Sequence, residues 1–149
     1  MDTSIKNPAG KAFWAAAIIF LLWNIFGCAI YLMDQTMSDA AVLEAYGDKG
    51  EAMLAAKAVY PIWAVSAYAV AVWGGLLAAI FLLLRKKLAV PLFSVSLIAA
   101  IICFIPTFTN SVMKAAGGDS YWVMPVVVIV LGIIEVFWSR RKVAEGLLS

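Results

Sequence analysis

The sequence contains no histidine, and only 13% of its 149 residues are charged. Without histidine it lacks the side chain used most often as general base and as metal ligand. Its two cysteines, Cys28 and Cys103, both fall inside apolar runs and form no CxxC or Cys/His spacing, so nothing points to zinc or a redox pair. Each reads as a small packing hydrophobe, since a disulfide would need two closely facing positions. No glycine-rich phosphate loop, nucleophile elbow or pair of carboxylates within a span occurs. A non-enzymatic chain with no cofactor and no metal is expected. A net charge of +2 is too small to imply a nucleic-acid partner.

What is present is apolar surface. Hydrophobic residues make up 65% of the chain and the mean hydropathy is +0.98, where a soluble domain runs near half apolar and a quarter charged. The expected partner is therefore the lipid bilayer. The stretch from Pro61 to Leu84 carries no charge and stops at Arg85, Lys86 and Lys87. About 20 apolar residues already span a bilayer. Further spans are read at about 13–33, 91–109 and 121–138. The first could be a signal peptide, but its apolar run is longer than a signal core. Phe26 is also bulky where a lipoprotein cleavage box wants a small residue, so the helix is expected to be retained. The fold class is an all-α, integral membrane four-transmembrane-helix bundle, in a single membrane domain over 1–149.

The 34–60 connection is polar. Ser38 resembles an N-cap ahead of a helical run that Gly47 stops, and a second helical piece covers Glu51 to Val59. This predicts a short helical outer loop. Pro91 opens the third span, where proline is tolerated, and Pro106 should kink or fray its end. Placing both termini in the cytoplasm puts Lys6, Lys11, Arg85, Lys86, Lys87, Arg140, Arg141 and Lys142 inside. Only Lys49, Lys57 and Lys114 remain outside. That is the positive-inside pattern, and the aromatic residues at the span ends agree with it.

Few polar residues enter the spans. Asn24 lies roughly 16 Å past Phe13 at 1.5 Å per residue, near the midplane. There it could accept from the Trp73 ring N–H, with Ser66, Ser94 and Ser96 as further polar partners. It reads either as interhelical glue or as part of a solute site. Glu135 is the only acid within a span. It lies about 7.5 Å from Arg140 along the axis. An inner-interface ion pair with Arg85 or Arg140 is expected, the alternative being a proton site. Ala64, Ala71 and Ala78 recur at steps of seven in the second span, with Gly74 and Gly75 beside them. Small residues let helices approach closely.

The segments LLWNIFG (21–27), VWGGLLAAIFLLLRKKLAVPLFSVSL (72–97) and FWSRRKVAEGLL (137–148) resemble a group of small, uncharacterised four-helix bacterial inner-membrane proteins. Some members are labelled sugar transporters. The resemblance implies a bacterial inner-membrane location and four spans. The chain lacks the Pro-Gln signature of small sugar-transporting half-carriers, and has Asn24 where small multidrug carriers have a glutamate. The expected function is a protein working by helix packing, as an accessory subunit of a larger membrane complex or as a homo-oligomer. The alternative is a small-solute transporter, sugar included, acting as an oligomer.

Overall fold

The computed structural model describes residues 8–149; Lys6, counted above with the inner cations, lies outside them. Four long helices form the bundle: α1 (Lys11–Thr36), α4 (Ile62–Leu83), α5 (Ala89–Thr109) and α7 (Val123–Ala144). All four are long and apolar enough to cross a bilayer. Three short helices join them at one end: α2 (Asp39–Tyr46), α3 (Gly50–Val59) and α6 (Ser111–Gly117). We call this the cap end. The opposite end carries Lys11, the Arg85–Lys87 turn and Arg140–Lys142, and we call it the basic end.

Local chemistry sets the short elements. Ser38 accepts from the Ala41 amide at 3.3 Å and starts α2, and Asn110 accepts from the Val112 amide at 2.9 Å and starts α6. These side chains satisfy amide groups that a helix start leaves open. Pro106 lies inside α5, which nonetheless continues to Thr109. In the same turn the Cys103 carbonyl accepts from the Tyr60 hydroxyl at 2.9 Å. Burial, with Cys103 and Asp34 nearby, raises the Tyr60 phenol above its ordinary range, so it stays protonated as a donor.

Packing is strongly uneven along the bundle axis. α4 lies between α1 and α5, α5 also packs on α7, and α3 packs on α6 to close the cap. The main core is at the basic end, where Phe13 and Ala17 meet Ala78, Ala79, Leu82, Phe93 and Val136. Trp138 stacks on Phe13 with ring centroids 5.6 Å apart and meets Phe20 edge-on at 5.4 Å. Towards the cap, the buried core shrinks to Ala71, Ala99 and Ala100 with Val128 against them.

The chain after α7 returns to this core. Gly146, at φ +71°, turns the backbone so that the Leu147 amide reaches the Lys142 carbonyl at 3.0 Å. A positive φ is what closes a helix this way, and glycine takes it without a Cβ penalty. Arg85 makes the same turn after α4 at φ +58°, as a non-glycine residue. The two turns then bind each other. Arg85 Nε donates to the Leu147 carbonyl at 2.9 Å, and the Ser149 amide donates to the Arg85 carbonyl at 2.8 Å. Leu147 and Leu148 are buried beneath. Glu145, bonded first by Lys142 and then by Arg141, has its carboxyl held below the usual range.

Leu148→Ala should therefore destabilise the protein by about 2–3 kcal/mol, read as a lower unfolding midpoint in detergent. Leu88→Ala, at a site 56% exposed on the adjoining turn, should leave it nearly unchanged.

Candidate functional site

Lipid offers a polar side chain no hydrogen-bond partner, so polar groups inside an apolar bundle turn inward and meet one another. Asn24 and Glu135 do so. Both are buried, at 8% and 4% exposure. Asn24 Nδ2 donates to Glu135 Oε1 at 2.7 Å and to the Phe20 carbonyl at 2.8 Å. Both neighbours of that nitrogen are acceptors, so chemistry dictates which end of the amide points where.

Gly75 of α4 makes the room. A Cβ there would overlap Asn24 Oδ1 and come within 3.0 Å of Ser96 Oγ. Ser96 donates to the Ala71 carbonyl at 2.6 Å. The node thus draws on α1 (Asn24), α4 (Gly75), α5 (Ser96) and α7 (Glu135).

Above the node the bundle is hollow. A cavity of about 590 Å³ runs from Asn24, Ser96 and Glu135 towards the cap. Its walls include Trp23, Phe26, Val72, Phe104, Met124 and Val128. At the mouth stand Asp34, Lys57, Tyr60 and Tyr68, where the Tyr68 hydroxyl donates to Asp34 Oδ2 at 3.4 Å. Lys57 donates to the Met37 carbonyl at 3.0 Å and lies 3.8 Å from Asp39. Phe26 and Met124 line the cavity and are 50% and 53% exposed.

Several residues singled out in the sequence sit elsewhere. Trp73 is 42% exposed and turned outward, and Asn24 bonds Glu135 instead. Trp73 stands two residues before Gly75, about 200° round the helix at 3.6 residues per turn. Ser66 and Ser94 each donate to the carbonyl four residues back, Ile62 and Val90, and neither lines the cavity. Glu135 pairs with Asn24 rather than at the basic end with Arg85 or Arg140. Five residues place Arg140 about 140° round α7 from Glu135, and Arg140 is exposed. Arg85 turns its Nε to Leu147. Ala64, Ala71, Gly75 and Ala78 are buried, and Gly74 is half-buried with its Cβ position 3.7 Å from Ser96 Cβ. Cys28 and Cys103 are both buried free thiols. Among the described residues, no group of three or more metal-ligating side chains gathers.

The Asn24–Glu135 pairing carried a sequence signal that residue spacing alone missed. An amide alone in the first span and an acid alone in the fourth each need a partner that lipid cannot supply. No protein-family model, curated protein or solved structure matches the chain.

Stability in detergent should respond both to the close approach at Gly75 and to the Asn24–Glu135 bond. Gly75→Ala should cost about 1–3 kcal/mol through overpacking. Gly74→Ala, with only ordinary contacts, should be neutral or gain up to about 1 kcal/mol from helix propensity. Asn24→Leu should cost more than the roughly 1 kcal/mol typical of a polar contact in a membrane bundle, because Glu135 loses its donor. The Asn24→Leu/Glu135→Leu double variant should recover part of that loss in a double-mutant cycle.

Proposed function

We propose that this protein is a non-catalytic membrane carrier that binds a small amphipathic solute in the cavity between its four spans. One observation carries the reading: a bundle packed solid at the basic end and hollow towards the cap, with Asn24, Ser96 and Glu135 on the cavity floor. A volume of about 590 Å³ lies inside the range of small-molecule sites, roughly 300–1,000 Å³ with mostly apolar walls and a few polar groups. The apolar walls favour a solute with an apolar body. A sugar would bring hydroxyls all round, while the polar partners here gather at the floor and the mouth with apolar walls between.

The other reading is an accessory subunit or homo-oligomer acting by helix packing. It drew on the small residues of α4. Most of these are spent inside the protomer, with Ala71 beside Ala99 and Ala100, and Ala78 and Ala79 among Phe13, Ala17 and Phe93. That leaves less for a partner helix. For location, the eight-to-three cation split supports a bacterial inner membrane with the basic end and both termini in the cytoplasm and the cap outside.

Val128→Trp places a bulky ring on the cavity wall, about two helical turns from Glu135. Small molecules extracted from the purified wild type should be strongly depleted in this variant, with its unfolding midpoint retained. Identical extracts would overturn the carrier reading, and co-purification with a larger complex in mild detergent would favour the accessory one. For orientation, cysteine at Ala45 in α2 should react with an impermeant maleimide on intact cells, and cysteine at Ala144 should not. The reverse pattern would invert the topology.

A further inference from the structure

We infer that the solute is an amphipathic organic cation. Its amine head binds Glu135 at the cavity floor, and its apolar body fills the space between the spans. This rests on the carrier reading above and narrows it to one ligand chemistry.

The first support is the state of Glu135. It is 4% exposed, and the partner that it shows is the neutral Asn24 amide. A buried carboxyl is stabilised either by taking a proton or by charge-assisted N–H donors, and a bound cation supplies those donors. The cations nearest to it along α7 stay at the basic end. Arg140 is exposed, and Arg141 and Lys142 bind Glu145. A bound amine would bring both positive charge and N–H donors to the floor.

The second support is the path to that floor. The walls present Trp23, Phe26 and Phe104, and aromatic faces attract cations. A second carboxyl, Asp34, stands at the mouth, while the Lys57 amine there is turned towards Met37 and Asp39. Asp34 and Lys57 stand together at the mouth, so the preference for a cationic head rests on the Glu135 carboxyl at the floor.

The test uses the full chain in lipid nanodiscs and three probes with one tail and different heads: dodecylamine, dodecanol and dodecanoate. The readout is the shift of the unfolding midpoint, since a ligand that binds only the folded state raises it by mass action. The expected order is dodecylamine well above dodecanol, with dodecanoate giving no rise. Glu135→Gln should bring dodecylamine down to the level of dodecanol. Val128→Trp should abolish the shifts of both. Shifts in the wild type that are equal for all three heads, or greater for dodecanol or dodecanoate, would overturn the cation assignment. If Val128→Trp still abolished them, the carrier reading would stand. Shifts that persist in Val128→Trp would show the probes acting through the bilayer, and would overturn both. Should Glu135→Gln fail to fold, the head-group order in the wild type decides alone.

Discussion

One hydrogen bond between two buried side chains joins the first span of this bundle to the last. In lipid the hydrophobic effect gives helices little reason to associate, because the tails are as apolar as the side chains. Shape and polar satisfaction decide the arrangement instead. Asn24 and Glu135 each carry groups that lipid cannot bond, and their contact ties the first span to the last. Along the rest of that seam, α1 and α7 meet through rings at the basic end, Phe13 and Phe20 on Trp138. The polar contact and these rings together fix the depth at which those helices lie against each other. Gly75 is a condition of it, since any Cβ there would take the space of the amide oxygen.

The same bond marks the boundary between two unlike halves. Below it, small side chains on α4 let the helices close on Phe13, Phe93 and Val136. The chain after α7 seals that end from outside by binding the turn at Arg85. Above it, larger side chains on α1, α5 and α7 stand around a space they do not fill. Interiors are ordinarily close-packed, and a void forfeits the contacts its walls would otherwise make. The proposed solute would supply the contacts that those walls lack.

The cap belongs to this logic. α2, α3 and α6 are short, each begins or ends on local signals, and α3 packs on α6 across the open end of the bundle. They bring Lys57 and Tyr60 to the mouth, while α1 and α4 bring Asp34 and Tyr68. A polar rim over an apolar shaft with a polar floor suits a molecule with one charged end and an apolar remainder.

Four apolar helices and a helical loop between the first two were legible from the chain alone. The length of an uncharged run measures bilayer thickness, and Ser38 and Gly47 act on residues beside them in sequence. Which face each residue turns inward was not legible. The helices are apolar all round, so no amphipathic stripe marks the inside as it does in water. That is why Trp73 faces outward while Gly75, two residues on, receives Asn24. It is also why depth and charge suggested Arg85 or Arg140 for Glu135. The sequence by itself determined that a lone amide and a lone acid would lie in lipid. Only the tertiary structure decided that they satisfy each other, because that depends on the rotation of α1 and α7 about their own axes. Gly75 receives Asn24 from α1 and Gly132 of α7 lies against Leu97 of α5, so those rotations depend on neighbouring helices and no single helix encodes them.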